Sequence, residues 1–282
     1  MIKALRKNRE LVADILQHEN SDYLHGWWLG QSGYLLQYKG KRVLIDPYLS
    51  NSLTQKYQQT NKPHVRISEL VIEAGMLPRI DLITSSHNHT DHLDAETILP
   101  VLINNPACQL IIPEANRAFV AGRLGTPFTW PVGLNDGQAF SNDWISITAI
   151  PAAHNALDRT EEGLCPYLGY IIKMGGLTIY HSGDTLQYNG MELFIKAHQP
   201  DIAFLPINGN DPSRKVAGNL DADEAIGLAK NCGIPLVIPC HYDLFAFNTA
   251  DVNNFISKAK LAKQNYCVLD LGGKFSSREL KP

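Results

Sequence analysis

The sequence predicts an α/β fold of stacked β-sheets with helices on their outer faces, and three observations predict it. Short apolar runs rich in β-branched residues recur along the chain, helical stretches separate them, and this order of elements occurs twice. Neither a low-complexity segment nor a linker rich in Pro, Gly or Ser interrupts the series, so residues 1–282 read as one domain. With 44% hydrophobic and 19% charged residues, the chain can bury a sizeable core.

Residues 1–20 read as an N-terminal helical extension, a charged start continuing as an amphipathic helix to about Gln17. That stretch lacks the apolar core of a secretory signal. Residues 34–38 and 42–46 are strands joined by a hairpin turn at Lys39, Gly40 and Lys41. A third strand covers 80–84, and a helix over 93–104 ends at Asn104, Asn105 and Pro106. A short buried strand at 109–113 precedes a helix over 114–124. The second series opens with the alternating run 144–150, then a hairpin of 167–173 and 177–181 across Met174, Gly175 and Gly176. Strands at 201–206 and 235–239 follow, separated by a helix over 222–230.

A formal net charge of −3 leaves no basic footprint for nucleic acid, and no apolar stretch is long enough to span a bilayer. The five cysteines are scattered without a Cys-x-x-Cys pair. They read as reduced, buried thiols of a cytoplasmic protein, and none is needed as a metal ligand. The expected partner is a small-molecule substrate, and the oligomeric state, a homo-oligomer included, stays open.

The chemistry concentrates after the strand at 80–84, where His87, His89, Asp91 and His92 form the pattern His-x-His-x-Asp-His. Imidazole and carboxylate are the standard donors for zinc and similar ions. On an extended segment residues two apart share a face, so His87 and His89 can reach one ion together. Asp91 and His92 reach a second ion only if the chain turns there. One loop cannot close two sites, and three further donors stand at strand ends: His154 after 144–150, Asp184 after 177–181 and His241 after 235–239. Valence is satisfied if one ion takes His87, His89 and His154, the other takes Asp91, His92 and His241, and Asp184 bridges them. Each of the two divalent ions then keeps an open position for water. Zinc is the first expectation, with manganese and iron accepted by the same donors.

Taken together, Asp46 at the end of its strand, the histidine loop, His154, the turn at Asp184 and His241 resemble the metallo-β-lactamase superfamily, over about residues 28–275. The resemblance implies a four-layer αβ/βα sandwich of two mixed β-sheets flanked by helices, with the ions at one edge. It also implies that Asp46 orients the loop from behind the ligands.

Flanking segments around Trp27, Trp28 and Gly30, around His181 to Asp184, around Cys240 to Asp243 and at Gly272 to Phe275 resemble the ascorbate-6-phosphate lactonase branch. In that setting Arg159, Arg214 and Lys215 are candidates to hold a substrate phosphate, since guanidinium binds phosphate bidentately. The chain departs from the branch in carrying His154 and in being shorter before the histidine loop and after Phe275.

His181 is a candidate to contact substrate or to donate a proton to the leaving group. Asp243 could accept the second N–H of His241. The expected activity is hydrolysis in which a metal-bound hydroxide opens an ester-like bond, with the lactone of a small phosphorylated sugar acid as first substrate. Asp91 both ligates and orients the nucleophile. The alternatives are a phosphodiesterase acting on a small or lipid phosphodiester, and a metal-stabilised scaffold without catalysis.

Overall fold

A computed structural model describes residues 1–280. Two seven-stranded mixed sheets form among those residues. In the first, β1 (His25–Gly30), β2 (Gly33–Tyr38) and β3 (Lys41–Ile45) run antiparallel, and β4 (Leu82–Thr84), β5 (Gln109–Pro113) and β6 (Val132–Leu134) continue in parallel. The second repeats the plan. Its strands β7 (Ala139–Ser141), β8 (Ile145–Pro151), β9 (Leu168–Met174) and β10 (Leu177–His181) are antiparallel, and β11 (Ile202–Pro206), β12 (Leu236–Cys240) and β13 (Asn265–Tyr266) are parallel. A last strand, β14 (Lys274–Ser276), returns to pair with β1.

Both hairpins follow from turn chemistry. Lys39 and Gly40 adopt φ of 47° and 72°, and Gly175 and Gly176 adopt 59° and 80°. Left-handed backbone at both central residues matches the twist of the flanking strands.

The sheets pack face to face, with the ring of Tyr34 in β2 stacked on Phe204 in β11 at 4.0 Å between centroids. Trp27, Leu35, Leu44, Ile83, Ile171 and Ile202 are wholly buried between the layers. Each such side chain removed from water contributes about 1.5–3 kcal/mol. The helices are α1 (Arg9–Gln17), α2 (Ser52–Tyr57), α3 (Ala95–Asn104), α4 (Arg117–Leu124), α5 (Met191–Lys196), α6 (Ala222–Cys232) and α7 (Val252–Ala262). None of them is long and apolar enough to cross a membrane. A capping box at Asp221 and Glu224 starts α6, and left-handed Gly233 ends it.

The α/β class, the two mixed sheets and both hairpins agree with the sequence reading. Helix in the N-terminal extension is confined to α1. The residues before it run along the sheet edge, with Ile2 bridging to Ser68 and the Leu5 N–H donating to the Leu271 carbonyl. The segments forming β1, β6, β7, β13, β14, α2, α5 and α7 carried no expectation of an element. All five cysteines are free thiols, four of them buried.

Candidate metal centre

The site lies where loops from both sheets meet at one edge of the sandwich. The loop after β4 carries the histidine cluster. Its chain turns at Asp91, with the N–H groups of His92 and Leu93 both donating to the His89 carbonyl, so four donors leave one short segment in different directions. The turn after β10 brings in Asp184, and Gly183 makes that approach feasible. Gly183 has φ of +59°, and a Cβ there would stand 2.7 Å from both the Leu168 carbonyl oxygen and the Ser86 Cβ. His241 follows β12 with φ of 61°, its N–H held by the Gln31 carbonyl at 3.0 Å.

These donors gather into three groups: His87 with His89 and His154, His87 with His92 and Asp184, and Asp91 with His92 and His241. Asp184 reaches across them. Its Oδ2 lies 3.6 Å from His154 Nε2 and 3.2 Å from His241 Nε2, and its Oδ1 lies 3.4 Å from His92 Nε2.

The residues fit divalent cations on their own geometry. His87 Nε2, His92 Nε2 and Asp184 Oδ1 are buried without a hydrogen-bond partner among the described residues. Buried polar atoms are normally paired, so such a cluster marks a place built for a ligand. Tautomers agree with this. His92 Nδ1 donates to Asp46 Oδ2 at 2.7 Å, and His154 Nδ1 donates to the Gly218 carbonyl at 3.1 Å. Both rings therefore turn Nε2 toward the centre. Asp46 in turn accepts from the Ser86 N–H at 2.8 Å and from the Ser86 hydroxyl, which fixes the loop from behind.

The electrostatics point the same way. Burial, with the neighbouring imidazoles of His92, His89 and His154, pushes His87 well below the usual histidine range. Burial lowers His154 to about 4. Both rings are then neutral, the form that ligates. Burial also opposes charge on His92, but Asp184 and Asp91 override it and raise that ring well above its usual value. Facing His241 and His92, the Asp184 carboxyl is held well below the usual carboxylate range despite its burial. The carboxylates ask for positive charge at this point.

A cavity of about 650 Å³ opens above the cluster, with His89, Asp91 and Asp184 on its floor. Tyr167, Phe119, Phe245 and Phe247 line its walls. Among the described residues, its charges outside the cluster are Lys56, Lys62, Lys215 and Arg123.

A model of the β-lactamase superfamily domain matches residues 27–241, about three-quarters of the chain, and the match spans all seven clustered donors. A UPF0173 metal-dependent hydrolase from Pelotomaculum thermopropionicum is 32% identical over 240 residues, covering 83% of this chain and 91% of its own. The chain belongs to the UPF0173 family of metal-dependent hydrolases, within the metallo-β-lactamase superfamily. A UPF0173 hydrolase from Methanosphaerula palustris is 30% identical over 81% of this chain and 88% of its own. The metallo hydrolase Igni18 from Ignicoccus hospitalis shares the fold, with a TM-score of 0.64 at 22% identity over 90% of this chain and 98% of Igni18.

Within this UPF0173 hydrolase four sequence expectations need correction. His181 is wholly buried, bonded through Nε2 to the Ser32 carbonyl at 3.1 Å and packed on Tyr34 and Phe204. It lies beneath the cluster and does not line the cavity. Asp243 does not serve His241, whose Nδ1 has no partner among the described residues. Asp243 instead lines a separate hollow with Trp28 and Tyr242, because its left-handed backbone (φ 56°) turns the chain away.

Arg159 is held by Asp136 at 2.7 Å and the Gly163 carbonyl at 3.1 Å, outside the cavity. Arg214 is spent on Asn248 Oδ1 at 2.8 Å and the Asn208 carbonyl at 2.6 Å. Lys215, beside it, does line the cavity. Sequence reasoning passed over Lys56, Lys62, Tyr167 and Gln31. Lys56 lies in α2 and Lys62 in the irregular stretch after it, and their place over the site depends on the whole fold. Gln31 follows β1, a strand the sequence reading did not mark, so its place at a strand end gave no signal.

Proposed function

We propose that this metal-dependent hydrolase opens an ester-like bond in a small anionic molecule, the lactone of a phosphorylated sugar acid being the first substrate. One observation carries the reading: seven donors, several with buried unpartnered atoms, gather at the base of a cavity that five of them line and whose remaining charges are positive. In this reading His87, His89 and His154 hold one ion, Asp91, His92 and His241 a second, and Asp184 bridges them. Zinc suits the mixed imidazole and carboxylate set, and manganese or iron are accepted by the same donors. Such ions supply an acidified water as nucleophile and a Lewis acid for the carbonyl.

The chain's own residues do the rest. Asp46 and Gly218 set the tautomers of His92 and His154. Asp91, part-exposed on the floor with one oxygen held by Gln31, keeps its carboxylate turned to the place where a nucleophile is oriented. Lys56, Lys62 and Lys215 take over the substrate anion assigned in the sequence to Arg159 and Arg214, since ammonium groups bind phosphate as point charges. The aromatic wall excludes water around the scissile bond. We treat the described chain as one hydrolase domain, because α1 buries Leu11 and Ile15 in the common core.

The same positive rim favours a small or lipid phosphodiester as the second reading. Ion-loaded and chelator-stripped protein assayed on a panel of lactones and a chromogenic phosphodiester tests both. Turnover of lactones by loaded protein alone is the expected result. Faster phosphodiester turnover favours the second reading, and no turnover of either leaves the metal-stabilised scaffold.

A further inference from the structure

The two sheets share one strand plan, and the comparison of their strand ends exposes Gln31. Counted from the antiparallel edge, the second strand of the second sheet is β8, and the loop after it delivers His154 to the first trio. The second strand of the first sheet is β1, and the residue after it is Gln31. Its side chain is directed at the other trio. The amide Nε2 stands 2.9 Å from Asp91 Oδ2 and 3.0 Å from His241 Nε2, so one N–H group serves each.

The rest of the residue is immobilised. Gln31 is 1% exposed with φ of 51°, and its carbonyl accepts from the Trp28 indole N–H and the His241 N–H, both at 3.0 Å. The backbone is fixed, and the terminal amide can turn without moving it. The other end of that amide, Oε1, is buried without a partner among the described residues. A buried carbonyl oxygen left unpaired costs free energy, and a residue held in left-handed backbone adds strain, a combination found at functional sites. The torsion before a terminal amide is broad and roughly two-fold, so exchanging the oxygen and nitrogen needs no movement of the backbone.

We infer that Gln31 is a turnable member of the second trio. Its N–H groups occupy the lone pairs of Asp91 and His241 while the trio is bare, and its Oε1 joins Asp91, His92 and His241 as an oxygen ligand when a cation is held. Gln31 then sets how tightly the second ion binds relative to the first, since the first trio has no such amide among the described residues. The inference rests on the two-ion reading of the site.

The test titrates chelator-stripped full-length protein with zinc(II) by calorimetry and with cobalt(II) by its visible absorption. The variants are Gln31→Met, Gln31→Asn and Gln31→Glu. Gln31→Met removes both amide atoms, and Gln31→Asn, whose residue tolerates left-handed backbone, withdraws them by one methylene. Both should bind the first equivalent as the native protein does and the second at least about tenfold more weakly. Gln31→Glu should hold the second equivalent as tightly as native or tighter, with an altered cobalt spectrum, and should melt lower when stripped because it faces Asp91. Unchanged first-equivalent binding shows that each variant is folded. A second equivalent held by Gln31→Met and Gln31→Asn with native affinity overturns the inference. A native protein that binds a single equivalent overturns the two-ion reading, and this inference with it.

Discussion

Asp46 Oδ2 accepts the Nδ1 proton of His92 at 2.7 Å, in a pair with no solvent exposure on either side chain. The carboxylate is filled on its other sides by the Ser86 N–H and hydroxyl. Every donor around it therefore needs an acceptor.

Asp46→Asn should exploit that arrangement. The Ser86 N–H excludes the new NH2 from the Oδ1 side, so it must point at His92. That reverses the tautomer and places a proton on Nε2. Ion affinity should fall by roughly 10–100-fold, as measured by calorimetric titration. Native affinity in the folded variant would falsify the role given to Asp46.

Gly183→Ala forces a Cβ between the Leu168 carbonyl and Ser86 while requiring left-handed backbone. The turn must move, and Asp184 moves with it. We expect a loss of about 1–3 kcal/mol in denaturant unfolding of the stripped protein, together with a smaller ion stoichiometry. A variant that keeps full stoichiometry would show that the close approach does not position Asp184.

Substrate charge is checked by contrast. A Lys62→Met, Lys215→Met double variant should raise KM for an anionic lactone roughly tenfold with a smaller change in kcat, since each exposed charge pair contributes up to about 1 kcal/mol. Arg159→Ala should leave both constants near native. The reverse ranking would return the phosphate to Arg159.

His25 offers a pH test remote from the metal centre. Burial, with the nearby His18 and Lys274, lowers it to about 4, against about 6.5 for an unfolded histidine. Below pH 6.5 the unfolded chain takes up a proton that the folded protein resists until about pH 4. Stability is therefore lost as pH falls through that window. The melting-temperature advantage of native protein over His25→Gln should shrink between pH 7 and pH 4. An advantage that stays constant counts against the assignment.

Much of the fold was legible because its central strands are apolar runs punctuated by turns. The hairpin at Lys39 and Gly40 and the strand leading to His87 needed no tertiary knowledge. β1 was not legible. Its residues are buried on both faces, so no alternation marks them. The edge strands β6, β7, β13 and β14 hold two or three residues each, too few for a pattern.

At the site, the seven clustered donors could be found because they stand at strand ends. His181, Arg159, Arg214 and Asp243 show the limit of that logic. Their residue type suited the chemistry, but hydrogen bonds to Ser32, Asp136, Gly163, Asn208 and Asn248, and a left-handed turn, direct them elsewhere.

Each trio takes donors from loops of both sheets, while all five cysteines remain unpaired. An ion held by the first trio would tie His89 to His154 across 65 positions of sequence, the span of a long-range disulfide. Closing so long a loop restricts the unfolded chain, by whatever chemistry the closure is made. In the two-ion reading such a fastening would open to acid or a chelator, and the chain's durability would then follow the supply of metal, with no disulfide to take its place.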